Sequence, residues 1–403
     1  MYVEREIQKV VDSYLRQFKA VLVTGARQVG KTTMLRHTLP KAFNYVSLDD
    51  LELISRIRED SALFFMENEL PLAIDEIQYA PELFMRIKHI VDESSKKGEI
   101  VLTGSQTYQL MQGVSESLAG RVGILEMSSF SLREVLGNLK HAPYIPQPLK
   151  KRFGEKLSAS ALWAHIQRGS MPELADAAID GYAYYSSYVR TYIERDVRDL
   201  VRIHDERKFY NFMVACAART GQLLNATDVA NTVGVDVATV QGWLSVLQAS
   251  GIIHIMHPFW TNTNKRLTKT PKLFFFDTGL VCHLSGWTSP ETLRRGAMAG
   301  HIFETFVVSE VMKSFINSGR DLRDLSFYRD ARKREIDLVI KEGDVLHPVE
   351  VKAAATVSAD AIKNFDALAS LSGFRVGFGS VICQTDEPYL ITKDVQAVPV
   401  WAI

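Results

Sequence analysis

The chain has 403 residues, of which 47 are basic and 47 acidic, so its formal net charge is zero. This length exceeds one ordinary hydrophobic core and predicts two to four domains. The composition, with 46% hydrophobic and 23% charged residues, is that of a soluble globular protein, and no apolar run is long enough to span a membrane. The charged start of the chain lacks a secretory signal, and three widely spaced cysteines argue against a zinc or disulfide framework. We therefore expect a cytoplasmic protein without a membrane partner.

Residues 25–32, Gly-Ala-Arg-Gln-Val-Gly-Lys-Thr, match the G-x-x-x-x-G-K-[ST] pattern of a phosphate-binding loop. An apolar run over residues 20–23 precedes the loop, and a helix-compatible stretch follows it, as the motif requires. Lys31 is expected to reach the β- and γ-phosphates of ATP, and Thr32 to bind Mg²⁺ through its hydroxyl. The predicted nucleotide-binding residues are Gly25, Ala26, Arg27, Gln28, Val29, Gly30, Lys31, Thr32, Thr33 and, from a later strand, Ser105.

A phosphate-binding loop requires a second strand that ends in acidic residues. The run over residues 72–76, Leu-Ala-Ile-Asp-Glu, has this form. Asp75 is expected to bind Mg²⁺ directly or through water, and Glu76 to polarise the water that attacks the γ-phosphate.

A third strand, over residues 99–103, leads into Ser105 and Gln106, which are candidates for contact with the γ-phosphate or with the attacking water. The alternative is an ordinary Gly-Ser turn. Arg121 follows, and it could act as an arginine finger in cis or from a neighbouring subunit of a homo-oligomer. The alternative for Arg121 is a surface arginine in an ion pair.

Up to about residue 128, apolar strands alternate with amphipathic helices, which predicts a parallel sheet with helices on both faces. A proline-rich stretch over residues 141–149 reads as a linker or an exposed loop, and mostly helical sequence follows. We predict a P-loop ATPase domain over residues 1–130, a helical lid or linker over 131–210, a winged helix-turn-helix over 211–285, and a restriction-endonuclease-like α/β domain over 286–403.

The helix-turn-helix is predicted from an Asn225 cap, a turn at Gly234, and a second helix over residues 237–249. The basic segment over residues 264–272 follows where a wing could lie. Since the second helix carries little positive charge, the wing would have to supply the phosphate contacts for DNA. The alternative is a winged helix that serves as a protein–protein or interdomain module.

Near the end of the chain, a predicted hairpin carries Asp337 on its first strand and Glu350 and Lys352 on its second. Two carboxylates and one lysine are the arrangement of a Mg²⁺-dependent phosphodiesterase, in which the carboxylates hold the metal ion and the lysine stabilises negative charge. Glu304, on an upstream helix, fits as a further acid. The alternative is a solvated ion pair on an exposed face of the hairpin.

With these motifs, the chain resembles a large prokaryotic family of AAA-type ATP-binding proteins that join a P-loop domain to a C-terminal domain of unknown function. The resemblance rests on residues 24–33, 74–76, 102–105, 118–121, 192–197 and 265–272. It implies an ATPase with a winged helix and a nuclease-like end of the PD-(D/E)xK type. The family pattern carries over to Lys31, Thr32, Asp75 and Glu76, and to Asp337, Glu350 and Lys352, although Ile336 stands where that signature has proline.

The leading hypothesis is therefore an ATP-hydrolysing protein that acts on DNA and carries a Mg²⁺-dependent nuclease-like domain. The second hypothesis is an ATP-gated switch that binds a protein partner, with the nuclease-like fold catalytically silent. A defence or toxin-like nuclease is the third.

Overall fold

The structure of the protein, a computed structural model, describes residues 2–105, 110, 113–114, 117–149, 156–192, 206–260 and 269–403. Its strands form a five-stranded, a three-stranded and a seven-stranded sheet. None of the helices in these ranges is long and apolar enough to cross a membrane.

The five-stranded sheet carries the predicted phosphate-binding loop. Its strands run parallel in the order β2-β3-β4-β1-β5. Their bounds are β1 (Ala20–Thr24), β2 (Asn44–Ser47), β3 (Leu72–Asp75), β4 (Ile100–Gly104) and β5 (Val122–Glu126). All residues of β1, β3 and β4 are buried, as expected for strands covered on both faces.

Alternate residues of β1 point into two different hydrophobic clusters. Val21 and Val23 pack in one cluster, whereas Ala20 and Leu22 pack in the other. The helices that cover the sheet are α1 (Gln8–Gln17), α2 (Lys31–Thr38), α3 (Leu51–Glu59), α4 (Ser61–Glu67) and α5 (Leu83–Glu93). Helices α1 and α2 contribute to the first cluster and α5 to the second, so the predicted parallel sheet with helices on both faces is confirmed.

A mainly helical region follows the five-stranded sheet. Its helices are α6 (Leu132–Val135), α7 (Ala159–Arg168), α8 (Gly181–Tyr192), α9 (Glu206–Ala217), α10 (Ala226–Val233) and α11 (Val237–Ala249). As predicted, the Asn225 side chain caps α10, and Gly234, with φ of 73°, ends it. A small sheet of β6 (Gln222–Leu223), β7 (Ile253–Met256) and β8 (Lys272–Phe275), in the order β6-β8-β7, adjoins these two helices.

The last part of the chain is a separate mixed sheet with one long buried helix against it. The helices are α12 (Thr278–Leu284), α13 (Pro290–Arg295) and α14 (Ala299–Asn317). The strands are β9 (Leu325–Arg329), β10 (Glu335–Glu342), β11 (Val345–Lys352), β12 (Arg375–Val376), β13 (Gly379–Cys383), β14 (Tyr389–Thr392) and β15 (Val395–Pro399). The main sheet order is β14-β15-β13-β11-β10-β9, and β12 pairs with β11. The predicted hairpin is the antiparallel pair β10–β11.

Asp277, which follows β8, is a buried junction between the helical region and the small sheet. Its carboxylate accepts hydrogen bonds from the Ser170 N–H (2.8 Å), the Ser170 hydroxyl (3.0 Å), the Tyr185 hydroxyl (2.6 Å) and the Leu280 N–H (2.8 Å). Burial without these donors would be costly for an ionised carboxylate. Asp277 therefore fixes how these elements pack together.

Replacing Asp277 with alanine should lower the free energy of unfolding by about 3 kcal/mol, because several buried donors lose their acceptor. Urea unfolding followed by circular dichroism measures this loss. Asp344→Ala is the matched control: Asp344 pairs with Arg375 at the exposed surface, where solvent screens the ion pair, so its removal should cost far less stability than the loss of Asp277. Equal losses in the two variants would contradict the role given to Asp277.

Candidate functional site

The predicted phosphate-binding loop forms the floor of a cleft of about 520 Å³, within the usual size range of small-molecule sites. The loop joins β1 to α2, so the α2 N-terminus points into the cleft. The lining residues are Arg27, Gln28, Gly30, Lys31, Thr32, Thr33, Glu76, Ser105, Pro172, Glu173, Tyr188 and Thr191. Six of the predicted nucleotide-binding residues from the loop thus meet Ser105 and Glu76 at one place.

Two glycines of the loop are required by its geometry. Gly25 lies so close to the Met127 carbonyl that a Cβ atom would be 2.0 Å from its oxygen. Gly30 has φ of 91° and precedes the first residue of α2. Lys31 is 6% exposed, and its ammonium donates to the Gly25 and Ala26 carbonyls at 3.1 and 2.9 Å. The loop thus holds this cation in the wall of the cleft.

Arg5 donates to the backbone of the loop and thereby stabilises it, a role that the sequence analysis missed. Its side chain is buried and donates to the Val29 and Ser128 carbonyls, both at 2.7 Å, and to the Glu134 carboxylate at 3.0 Å. Val29 belongs to the loop, and its side chain is itself buried. An arginine in the polar N-terminal stretch carries no local sign of burial, so its three distant acceptors could not be read from the sequence.

The acidic pair lies beside the loop, as predicted. The Thr32 hydroxyl donates to the Asp75 carboxylate at 2.7 Å, and the Tyr45 and Thr103 hydroxyls also donate to it. Burial and the neighbouring Asp75 raise the pKa of Tyr45, so this phenol stays protonated as a donor. Because a hydroxyl and a carboxylate lie side by side at the loop, Thr32 and Asp75 fit the oxygen donors that Mg²⁺ prefers.

Glu76 lies one residue beyond β3, with φ of 57° in the left-handed region. Its carboxylate accepts hydrogen bonds from the Ser105 hydroxyl at 3.1 Å and from the Gln78 side chain. The unusual backbone conformation turns this carboxylate toward the end of β4, where Ser105 lies. Glu76 and Ser105 are therefore within reach of the same ligand group.

One predicted contact, Arg121, lies away from the cleft. Arg121 pairs with Asp92 at the protein surface, with Nε 2.5 Å from Oδ1, and it is not among the residues that line the cleft. The ion-paired alternative describes its position in this chain, and an arginine finger in trans stays a prediction. Gln106 lies outside the described residues.

The helical region, which the sequence predicts to be a lid or a linker over residues 131–210, contributes one wall of the cleft. Glu173, Tyr188 and Thr191 line the cleft opposite the loop. The Tyr184 hydroxyl donates to the Gln28 side chain at 2.8 Å. A periodic pattern along a helix predicts that one face is buried, but it does not identify the domain against which that face packs.

The C-terminal candidates gather where α14 crosses the β10–β11 hairpin. Lys352 pairs with Glu350 at 2.7 Å, and the Val351 N–H donates to the Asp337 carboxylate at 2.9 Å. Burial, together with the charge of Asp337, raises the pKa of Glu304 to about 8 and that of Glu350 to about 7. Glu304, Asp337, Glu350 and Lys352 are thus brought into one electrostatic neighbourhood.

Lys272 corrects one expectation from the sequence. The basic segment over residues 264–272 is predicted to form an exposed wing, but Lys272 is 3% exposed and is the first residue of β8. Its ammonium lies 2.9 Å from Glu304 Oε1 and 2.7 Å from Glu335 Oε1. Although burial disfavours the charged form, the carboxylates of Glu304, Asp337 and Glu335 raise the pKa of Lys272. Residues 264–268 of the segment lie outside the described part of the chain.

The carboxylates of this neighbourhood are not arranged as metal ligands. Among the residues that the structure describes, no three His, Cys, Asp or Glu side chains converge as a metal-binding group. Glu304 and Glu350 instead pair with Lys272 and Lys352. The residues present therefore do not fit the Mg²⁺ site that the hairpin motif predicts.

The raised pKa of Glu350 predicts a pH dependence of stability. The folded protein retains a proton that the unfolded chain releases, so this stabilisation is present below pH 4.5 and is lost as the pH rises through about 7. From pH 5 to pH 8, the wild type should lose about 1 to 2 kcal/mol more unfolding free energy than Glu350→Gln, which cannot ionise. Urea unfolding in EDTA at both pH values measures the difference; parallel losses would contradict it.

Three family models match successive parts of the sequence. Residues 17–136 match an AAA domain, residues 159–291 a domain of unknown function (DUF8612), and residues 299–403 a further domain of unknown function (DUF4143). The first match covers the five-stranded sheet and the phosphate-binding loop.

Two relatives are the uncharacterized proteins Mb2031c of Mycobacterium bovis and Rv2008c of Mycobacterium tuberculosis. Each is 27% identical over 350 residues, covering 85% of this chain and 72% of the relative. Among solved structures, the Thermotoga maritima RuvB Holliday junction branch migration motor is 18% identical, with 62% of this chain and 88% of that chain covered and a TM-score of 0.30. The S. cerevisiae Hsp104–ADP complex is 14% identical, with 78% and 43% covered and a TM-score of 0.28. The AAA domain match and the P-loop geometry together support an AAA-type ATP-binding domain over residues 17–136.

Proposed function

We propose that the protein is an ATP-hydrolysing switch, in which ATP at the P-loop sets the position of the helical region and a macromolecular partner responds to that position. The observation that carries this proposal is the composition of the nucleotide cleft. Glu173, Tyr188 and Thr191 of the helical region line it together with Lys31 and Thr32. A nucleotide bound there would touch both regions, and its loss would remove contacts from both.

The roles within the cleft follow from the donors and acceptors already described. Lys31 and the α2 N-terminus would bind the phosphates, and Thr32 and Asp75 would hold Mg²⁺, which neutralises charge on them. Glu76 would orient and polarise the attacking water, and Ser105, bonded to Glu76, would contact the γ-phosphate or that water. Through its hydrogen bond to Glu76, the proposed general base, Ser105 would connect the γ-phosphate to the carboxylate that orients the water.

The end of α11 supplies a second route from the cleft to the helix-turn-helix. A Cβ atom at Gly251 would lie 3.5 Å from the Ala26 nitrogen, so this turn is packed against the phosphate-binding loop. A movement of the loop backbone on binding ATP would change its contact with this turn. These contacts support the interdomain role of the helix-turn-helix that the sequence left open.

The charge of the helix-turn-helix also favours this role over base reading. Residues 220–264 contain no Lys or Arg but include Asp228 and Asp236, both exposed. Phosphate contacts supply much of the affinity of proteins for DNA, and this face offers none of the basic side chains that neutralise phosphate charge. We therefore place a protein partner ahead of DNA for α10 and α11.

DNA binding elsewhere is the second candidate function. The basic residues Lys265 and Arg266 lie in the predicted wing, outside the described residues, and Lys269 is exposed beside it. A nuclease reaction in the C-terminal domain would complete this hypothesis. The lysine-paired carboxylates described above weigh against that reaction, because a metal-dependent nuclease needs their oxygens for the metal ion.

Two substitutions in the cleft separate ATP binding from hydrolysis. Lys31→Ala should weaken ATP binding by at least about tenfold, since it removes the phosphate-binding cation. Glu76→Gln should bind ATP normally but lower kcat by on the order of 100-fold or more, because the general base is lost. Labelled-nucleotide binding and phosphate release measure the two effects, with Lys41→Ala, at an exposed lysine, as the control. Wild-type turnover in Lys31→Ala or Glu76→Gln would refute the proposed site.

Adding charge to α11 tests whether this helix reads DNA. Gln241 and Ser245 lie on its exposed face. Changing both to glutamate should leave the affinity for duplex and single-stranded DNA unchanged, as measured by fluorescence anisotropy with and without a non-hydrolysable ATP analogue. If α11 lay in the major groove, two added negative charges would weaken binding by about tenfold or more, and such a loss would establish DNA as its partner.

A further inference from the structure

The carboxylates where α14 meets the β10–β11 hairpin are in contact with a lysine from another sheet. Lys272 starts β8 in the three-stranded sheet, whereas Glu304 belongs to α14 and Glu335 starts β10 in the seven-stranded sheet. The Lys272 side chain is 4% exposed, and its ammonium lies 2.9 Å from Glu304 and 2.7 Å from Glu335. An ammonium this deeply buried needs its carboxylate partners to compensate for lost hydration.

When every group is ionised, the charges around Lys272 are already nearly balanced. Four acids share the neighbourhood: Glu304, Glu335, Asp337 and Glu350. Three cations face them, since Arg329 pairs with Glu335 at 2.5 Å and Lys352 with Glu350 at 2.7 Å, in addition to Lys272. A divalent ion added here would reverse the sign of the local charge and would lie close to the Lys272 ammonium.

One oxygen atom of each of three carboxylates that a divalent ion would need is also engaged. Mg²⁺ requires about six oxygen ligands at close to octahedral geometry. Glu304 accepts from Lys272, Glu350 from Lys352, and Asp337 from the Val351 N–H. We propose that the ammonium of Lys272 is the resident cation of this carboxylate cluster and that it excludes a divalent metal ion.

This assignment gives the cluster an architectural role. Lys272 joins the small sheet next to the helix-turn-helix to both α14 and β10, so three elements meet at one buried ion pair network. A metal ion could enter after the Lys272 charge was removed or withdrawn, because that change would release the Glu304 and Glu335 oxygens. Lys272 and a divalent ion therefore compete for the same carboxylates.

Mn²⁺ binding to the nucleotide-free full chain tests the competition, with free Mn²⁺ followed by electron paramagnetic resonance. Wild type should show no Mn²⁺ site that Glu350→Gln weakens. Lys272→Met, which keeps the length of the side chain but removes its charge, should gain one Mn²⁺ site at least about tenfold tighter than any in the wild type. Adding Glu350→Gln to Lys272→Met should abolish the gain, and the neighbouring Lys269→Met should show none.

Two results would overturn the proposal. The first is a Mn²⁺ site in the wild type that Glu350→Gln weakens by about tenfold or more, since the cluster would then hold metal despite Lys272. The second is a Lys272→Met variant with a wild-type circular dichroism spectrum that gains no site. If Lys272→Met does not fold, the comparison of wild type with Glu350→Gln decides alone: loss of a site overturns the proposal, and no site in either supports it.

Discussion

The arrangement of the three parts of this protein depends on one buried ammonium group, that of Lys313 in α14. The residue is 1% exposed, and its Nζ atom donates to the Phe130 carbonyl (2.9 Å), the Ser170 hydroxyl (2.9 Å) and the Glu310 carboxylate (2.8 Å). Phe130 follows the ATPase sheet, and Ser170 belongs to the helical region. An ammonium that has left water needs all three acceptors, so it is stable only when the three parts are docked together.

The same junction lies close to the cleft. Ser170 also donates to Asp277, and it is three residues from Glu173 in the cleft wall. On the other side, Arg5 joins the P-loop carbonyl of Val29 to Glu134, and Glu310 accepts from the Leu132 N–H. A nucleotide-dependent shift of the loop would therefore reach α14 through a short series of buried polar groups.

The sequence predicted what local patterns determine. The P-loop, the acidic pair, the parallel sheet and the hairpin carry their own signals in residue spacing and apolar runs. Lys272 shows why the remainder could not be predicted. It stands at the head of an apolar strand, in a basic segment typical of an exposed wing, and its partners are 32 and 63 residues away. Domain packing decides whether such a lysine faces solvent or a carboxylate. Neither composition nor periodicity of the sequence gives information about that packing.

Comparison of the two lysines shows why the two candidate sites differ in chemistry. Lys31 donates to the neutral carbonyls of Gly25 and Ala26 and lines an open cleft, where a triphosphate would add negative charge beside a cation and a helix N-terminus. Lys272 donates to two carboxylates and is sealed from water. Binding an anion in the cleft gains electrostatic energy, whereas binding a cation at the carboxylates first requires breaking ion pairs in a medium of low dielectric constant. The same residue type thus prepares the P-loop for a ligand and closes the C-terminal cluster to one.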